Sequence, residues 1–202
     1  MNRRSVALTL ALVGCSQRPS CQAPAPASND ASPHRVHVQD VVVALDYGQF
    51  YLRTGYAESE DDLAVLDRAI KGDGIARGKS ILIVLSPHQN NFEMPLRIER
   101  WPSEPPKDLE QWQEAFEASL TISDFGLYYE SPTLQGKVLE TPPPGTYAVR
   151  ITGRGFVAAG WPGSTTPGDQ WRIQLWPTKN LAPPKRVLTW SGPGSEHDAT
   201  TE

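Results

Sequence analysis

Histidine spacing is the first place in this chain to look for catalytic or metal chemistry. Only His34 and His37 stand close enough in sequence to share a metal ion, and the other two histidines are His88, after a Ser-Pro turn, and His197. No third ligand lies near the first pair, in a segment expected to be extended. No serine occupies a Gly-x-Ser-x-Gly motif, and His-Glu-x-x-His does not occur. We therefore expect no metal site, no cofactor and no enzyme activity.

Carboxylates form the densest group of charged side chains, at Glu58, Glu60, Asp61 and Asp62, with Asp67 one turn of a predicted helix further on. Such oxygens bind Ca²⁺, but the group lacks the alternating spacing and the glycine of a calcium loop. Acidic residues also stabilise the positive end of a helix dipole, and this explanation is preferred here.

The N-terminus has the order of an export signal. Arg3 and Arg4 precede an apolar run from Val6 to Val13, which is too short to span a membrane. Leu12-Val13-Gly14-Cys15 then resembles the lipobox of bacterial lipoproteins. The resemblance implies that residues 1–14 are a cleaved signal peptide and that the Cys15 thiol carries a lipid, with acyl chains such as palmitate anchoring the protein to a membrane.

Residues 15–35 are rich in Pro, Ala and Ser and predict a tether between the lipid and the folded domain. Cys21 lies in this tether as either a free thiol or an intermolecular disulfide. Ser16 stands where an Asp would retain a proenterobacterial lipoprotein in the inner membrane, which favours the outer membrane in a cell that has one. Residues 191–202 are polar and predict a frayed tail.

The length and composition of the remaining residues, 36–190, predict one domain, and the charge of the chain restricts the kinds of partner it can bind. The 202-residue chain is 39% hydrophobic, and its 19 Pro and 16 Gly favour short strands joined by turns. The formal net charge is -4, and loss of Arg3 and Arg4 with the signal would make it about -6. This charge disfavours direct nucleic-acid binding and suits a basic protein partner.

Strand patterns dominate the domain. β-branched, aromatic or alternating segments predict an antiparallel β-sandwich of about eight strands with one short helix. The predicted strands are 36–45, 49–53, 80–85, 92–98, 112–122, 127–130, 137–140, 146–152, 171–176 and 187–190. The first two segments are either two strands or one strand bent by a bulge at Gly48.

The single helix is predicted to begin after Ser59 as its N-cap and to end at Gly72 and Gly74. Its apolar face is predicted from Leu63, Leu66 and Ile70. Residues 109–122 fit both helix and strand, and a strand is preferred because Ser123-Asp124-Phe125-Gly126 is typical of a hairpin loop.

Six tryptophans also raise the possibility of carbohydrate binding, since sugars stack on exposed indoles. Trp112, Trp171, Trp176 and Trp190 fall at strand positions where packing explains them better. Trp161, in a Gly-Trp-Pro-Gly loop, is the candidate for an exposed ring.

A series of short motifs runs from the first turn of the domain to a late strand. They are Tyr47-Gly48-Gln49-Phe50, Ala69-Ile70-Lys71-Gly72, Ile81 to Leu85, Met94-Pro95-Leu96 and Pro144-Gly145-Thr146-Tyr147. The series resembles the ComJ-like family, typified by a competence protein that inhibits a DNA-entry nuclease. The first motif is similar to that family's Tyr-x-Gln-Phe, and the resemblance makes Tyr47 and Gln49 candidate partner-binding residues. The family implies a protein inhibitor rather than a catalyst.

Two functions are therefore compared. The first is a lipid-anchored protein-binding module of the cell envelope, in the manner of an inhibitor or immunity protein for a nuclease or toxin. The candidate contacts are Tyr47, Gln49, Glu58, Glu60, Asp61, Asp62, Asp67 and Trp161. The alternative is an envelope carbohydrate-binding or structural lipoprotein, which would depend on Trp161.

Overall fold

The computed structural model describes residues 37–55, 62–156 and 167–192. The strands are β1 His37–Leu45, β2 Gln49–Arg53, β3 Ile75–Arg77, β4 Ile81–Leu85, β5 Asn91–Arg100, β6 Glu114–Ile122, β7 Leu127–Glu130, β8 Lys137–Leu139, β9 Gly145–Arg154, β10 Gln170–Pro177 and β11 Lys185–Leu188. One α-helix, α1, spans Asp62–Lys71, and a short 3-10 helix spans Leu109–Gln111. Within these ranges no helix has the length and hydropathy needed to cross a membrane.

The strands form two sheets, which confirms the predicted β-sandwich. The larger sheet has the order β1-β5-β10-β9-β6-β11, and the smaller has the order β3-β4-β2-β7-β8. All pairings are antiparallel except that of β10 with β5. The described residues contain eleven strands rather than about eight, and β3, a three-residue strand beside β4, is the one with no predicted counterpart.

Apolar side chains at alternate positions of the strands point between the two sheets and form the core. On β9, Val149 and Ile151 point inward and are at most 1% exposed, and Ile173 on β10 is fully buried beside them. In the opposite sheet Phe50 and Leu52 of β2 point inward and are also fully buried. Burial of these apolar side chains between the sheets stabilises the sandwich.

Four chain connections between described strands pass from one sheet to the other: β1 to β2, β4 to β5, β6 to β7 and β8 to β9. The turn from Asp46 to Gln49 passes from β1 in the larger sheet to β2 in the smaller one. Residues 123–126 likewise join β6 to β7, which belong to different sheets, so the predicted hairpin loop is wrong. Ser123 Oγ donates to the carbonyl oxygen of Thr54 at 2.8 Å, which holds this connection beside the end of β2.

Helix α1 packs on the outer side of the smaller sheet, but not with the predicted face. Val65 and Ala69 are fully buried against Ala76, Ile81 and Ile83. Leu63 and Ile70 are 74% and 63% exposed, so the predicted apolar face is wrong apart from Leu66, which is partly packed. The predicted stop is confirmed, because the helix ends before Gly72, and Gly74 N–H donates to the carbonyl oxygen of Ala69. The predicted N-cap, Ser59, lies outside the described residues.

The ambiguous segment before β6 divides into two elements. Leu109–Gln111 forms the 3-10 helix, and the preferred strand begins at Glu114. Residues 101–113, called the strap here, carry the chain from β5 across β10 and β9 to β6. The strap lies on the outer face of the larger sheet, because it is bound by the outward-facing Arg150 and Arg172.

Candidate functional site

The turn between β1 and β2 presents Tyr47 to solvent. Tyr47 has a φ of 53°, a left-handed conformation that non-glycine residues rarely adopt, and Gly48 follows with a φ of 65°. The Tyr47 side chain is 65% exposed. A solvent-exposed aromatic ring in a strained backbone conformation is a reason to look for function at this turn.

Asp46 anchors one side of the turn. Its buried carboxylate accepts a hydrogen bond of 2.6 Å from Ser131 Oγ and one of 3.2 Å from the Thr133 backbone N–H. The Thr133 hydroxyl donates to the same carboxylate. Ser131 Oγ in turn accepts from the Asp46 backbone N–H at 2.9 Å. These bonds tie the turn to the segment that follows β7.

The segment between β4 and β5 holds the other side of the turn. Gly48 N–H donates to the carbonyl oxygen of Gln89, and Ser86 N–H donates to that of Gly48, both at 2.8 Å. The Tyr47 ring is therefore displayed on a backbone fixed from two directions.

Gln49 differs from Tyr47 in accessibility. It is 8% exposed, and its side-chain oxygen accepts no hydrogen bond in the part of the chain that the structure describes. A buried polar atom of this kind carries a desolvation cost. Of these two candidates, Tyr47 is therefore open to a partner and Gln49 is not.

The two described members of the acidic group lie in ion pairs. Asp62 accepts from Arg53 Nη2 at 2.8 Å, and Glu130 accepts from Arg53 Nε at 2.8 Å. Burial alone would lower the pKa of Arg53, but the hydrogen bonds to Asp62 and Glu130 raise it. Asp67 pairs with Lys71 one helical turn away. Glu58, Glu60 and Asp61 lie outside the described residues.

The Tyr47 turn and the start of α1 are separate features of the surface. Tyr47 precedes β2, whereas Asp62 is bound by Arg53 at the far end of that strand. The four steps from Gln49 to Arg53 span about 13 Å of extended chain. The described candidates thus form two patches along one strand rather than one contact.

The outer face of the larger sheet carries a polar network that the sequence analysis missed. Arg150 is fully buried, and its guanidinium donates to Glu117, to Glu104 and to the carbonyl oxygens of Pro105 and Pro106. Arg172 makes two 2.7 Å bonds to the Asp108 carboxylate. The alternation Arg150-x-Thr152-x-Arg154 on β9 is the signal that could have predicted a polar outer face here.

His88 and Asp169 form a second feature that spacing did not reveal. Both are buried, with 3.3 Å between His88 Nδ1 and Asp169 Oδ1. The Asp169 carboxylate also accepts from Asn91 Nδ2 at 2.5 Å and from Trp171 Nε1 at 3.2 Å. This cluster connects the segment before β5 to the segment before β10. Eighty residues of chain separate its two ends, so no local motif marks it.

Of the other three histidines, only His37 lies among the described residues. His37 pairs with Glu140 at the junction of β1 and the end of β8, while His34 and His197 lie outside the described residues. Across the described ranges, no three His, Cys, Asp or Glu side chains come together as metal ligands would. Cys15 and Trp161 also lie outside those ranges.

Comparison with known proteins gave similarities of fold. No family model matches this sequence, and a comparison with curated proteins gave no match. Two solved structures are similar to this chain. The fold resembles that of ComJ.

One of the two solved structures is ComJ from Bacillus subtilis, an inhibitor of the DNA-degrading activity of NucA. It is 17% identical, with a TM-score of 0.48, and the match covers 73% of this chain and 100% of ComJ. The other structure is crocagin biosynthetic gene J, also 17% identical, with a TM-score of 0.45 over 71% of this chain and 98% of that protein. Similarity at this level concerns backbone architecture alone.

Proposed function

We propose that this chain is a lipid-anchored, non-catalytic protein-binding module of the cell envelope that acts as an inhibitor or immunity-type protein for a nuclease or toxin. The observation that carries the protein-binding part is the Tyr47 turn, which displays a 65% exposed aromatic ring on a backbone in a left-handed conformation. The hydrogen bonds of Asp46, Ser86 and Gln89 hold that conformation in the free protein.

Rigid display of tyrosine favours protein binding for two reasons. A tyrosine ring brings a large contact area and a hydroxyl at low conformational cost, and tyrosine is enriched among the residues that dominate interface energies. A turn already fixed before binding loses little further entropy when a partner docks. Tyr47 is thus the expected centre of the contact.

Charge supports a basic partner. The chain has a formal net charge of -4, and an acidic protein attracts a basic surface during encounter. Nucleases present basic clefts to the phosphates of their substrate, so they belong to the class of partner that this charge suits. The acidic residues from Glu58 to Asp67 are expected to steer such a partner, with Asp62 and Asp67 contributing through their field despite their ion pairs.

Photo-cross-linking in the native host tests the binding proposal. A photoreactive aromatic amino acid would replace Tyr47 in the full-length protein, and Leu181, 55% exposed between β10 and β11, would serve as the matched control position. We expect one dominant protein adduct from position 47 and none of the same mass from position 181. No adduct, or the same adducts from both positions, would overturn the proposal.

An activity assay separates the inhibitor proposal from simple binding. The protein captured at position 47 would be purified and its nuclease or toxin activity measured with increasing amounts of the full-length chain. We expect stoichiometric inhibition by the native protein and at least tenfold weaker inhibition by Tyr47→Asn. Binding without any loss of the partner's activity would contradict the inhibitor role and leave the binding role standing.

The anchor is tested through Cys15. Cys15→Ala should leave the protein unacylated, so we expect it to move from the membrane pellet to the soluble fraction. Cys21→Ala is the matched control, because it removes a thiol six residues further on and should leave the protein in the pellet. Mass spectrometry of the native protein should show the lipid on residue 15, and an unmodified residue 15 would refute the proposal.

The carbohydrate-binding alternative receives no support from the described tryptophans. Trp171 and Trp190 are buried in the core, and arginine side chains lie over the rings of Trp112 and Trp176. Trp101 is half-buried, and its indole N–H donates to the Glu99 carboxylate. The alternative now depends on Trp161. Retention on a cell-wall pellet that is lost in Trp161→Ala would favour it.

A further inference from the structure

A cleft on the outer face of the larger sheet lies apart from the Tyr47 turn. It has a volume of about 360 Å³, within the size range of small-molecule sites. Its polar lining comes from β1, β5, β9, β10 and the strap. Six side chains carry the argument: Asp40, Arg97, Trp112, Arg154, Gln170 and Arg172.

The three arginines of this cleft differ in how far their charge is compensated. Arg97 binds both Asp40 oxygens at 3.0 Å and Glu99 at 2.8 Å. Arg172 is held by the Asp108 carboxylate. Arg154 instead donates one hydrogen bond, of 3.2 Å, to the neutral amide of Gln170, and no carboxylate in the described ranges pairs with it. Most of its donor groups are therefore available to a ligand.

The Arg154 guanidinium is also held in place. Its central carbon lies 4.7 Å from the centroid of the Trp112 ring, and that of Arg172 lies 4.4 Å from the same centroid. Stacking on an aromatic ring orients a guanidinium plane and reduces the entropy lost when it binds an anion. The ring itself is carried by the strap, which Asp108 fastens to Arg172.

Charge balance selects the kind of anion. Asp40, Glu99 and Asp108 offset the charges of Arg97, Arg154 and Arg172, so these six side chains together are formally neutral. A single negative charge can pair with Arg154 in the two-bond geometry that guanidinium and carboxylate groups share. A doubly charged phosphate would leave excess negative charge beside Asp40 and Glu99.

We infer that this cleft is a carboxylate-binding site in which Arg154, stacked on Trp112, pairs with a singly charged carboxylate. That group belongs either to a small organic acid or to the C-terminus of a peptide. The site is independent of the proposed Tyr47 contact, because it lies on the outer face of the larger sheet and none of the residues of the Tyr47 turn line it.

The test uses the full-length protein in detergent micelles with ¹⁵N-labelled arginine. The probes are propionate, N-acetyl-Ala-Ala with a free carboxylate, the same dipeptide as its C-terminal amide, and inorganic phosphate. We expect the Arg154 side-chain N–H signal to shift saturably with at least one of the two carboxylates. The amide and phosphate should bind at least tenfold more weakly. Equal response to acid and amide, or no saturable response, would overturn the inference.

The two carboxylate probes distinguish the sources of the ligand. Peptide acid binding at least tenfold tighter than propionate assigns the site to chain termini, and equal affinity assigns it to small organic acids. Either result supports a carboxylate site.

Variants with opposite expected effects make the test specific. Arg154→Gln should weaken carboxylate binding at least tenfold, whereas Arg68→Gln, an exposed arginine on α1, should leave it unchanged. Asp40→Asn removes one acid from Arg97 and should tighten binding severalfold. If Asp40→Asn weakened binding, the charge argument would fail. Arg154→Gln should also leave the cross-link from position 47 intact, which separates failure here from failure of the proposed function.

Discussion

At the scale of single residues, Tyr47 combines an unusual backbone conformation with exposure. The left-handed region costs a non-glycine residue about 1–2 kcal/mol. Asp46 offsets this cost by accepting bonds from Ser131 and Thr133 while Gly48 is held by its own backbone bonds. A residue in a strained backbone conformation whose side chain is mostly exposed is a candidate for a functional role.

Two substitutions of Tyr47 should separate strain from binding. Tyr47→Asn should change the free energy of unfolding by less than about 0.5 kcal/mol, because asparagine tolerates a φ near 53°. Tyr47→Val should cost about 1–2 kcal/mol more, because a β-branched residue is disfavoured there. Urea denaturation measures the difference, and both variants should lose the partner. Equal stability of the two variants would show that the turn relaxes when Tyr47 is replaced.

A motif of four consecutive residues named Tyr47 and Gln49 as candidates, and their role in binding stays a prediction. The motif could not show that the Tyr47 ring is exposed whereas the Gln49 side chain is buried. His88 and Asp169 lack any local signal, because their contact joins two segments far apart in the chain. Arg154 was not predicted as a site residue for the same reason, because the Trp112 ring that orients its guanidinium lies on the strap, far from it in the chain.

At the scale of elements, ion pairs with Arg150 and Arg172 hold the strap on the larger sheet. Hydrogen bonds from Arg172 lower the pKa of Asp108. Burial alone would raise the pKa of Glu117, but attraction to Arg150 and their hydrogen bond lower it. Both carboxylates therefore bind protons less readily in the folded protein than in the unfolded chain.

This direction of the pKa shifts predicts loss of stability in acid. The contribution is fully present above the unfolded-chain values, about 3.9 for Asp and 4.3 for Glu, and declines as pH falls through the lower folded values. We expect the urea midpoint to fall between about pH 5 and pH 3. Asp108→Asn should lower the midpoint at pH 7 and flatten its decline, whereas Asp124→Asn, in the exposed turn after β6, should do neither. A decline as steep in Asp108→Asn as in the native protein would show that Asp108 does not contribute.

Elements were predicted well where burial is periodic and poorly where it is not. Alternating apolar side chains marked β5 and β6, because the apolar residues of each strand share the face that packs in the core. The face of α1 was assigned wrongly because Leu63 and Ile70 are more apolar than Ala69, yet Ala69 is the residue small enough to pack on β4. Strand β3 has only three residues, too few for a period to show.

At the scale of the whole molecule, an aromatic group joins the two sheets. Phe50 of the smaller sheet meets Trp171 of the larger one edge to face, with ring centroids 5.1 Å apart. Phe156 contacts Trp171 and Trp190, with centroids 5.6 and 5.4 Å away. Gly153 leaves the space for this arrangement, because a Cβ there would come within 2.6 Å of the Phe156 ring.

Gly153→Ala should therefore destabilise the sandwich by about 1–3 kcal/mol, the usual cost of overfilling a packed core. Gly145→Ala on the same strand is the matched control, since its Cβ would meet nothing closer than 3.5 Å. We expect that control to change the free energy of unfolding by less than about 0.5 kcal/mol. Thermal unfolding of the two variants makes the comparison, and equal melting temperatures would mean that the aromatic group rearranges freely.

The sequence by itself determined the β-rich class and the positions of most strands along the chain, because both follow from periods or turns within a few residues. The tertiary structure alone decided which strands share a sheet. It showed that residues 123–126 cross between sheets and that the strap lies over Arg150 and Arg172. Those features arise from contacts between side chains far apart in the chain, whose pairing depends on how the two sheets fit together and not on any local pattern.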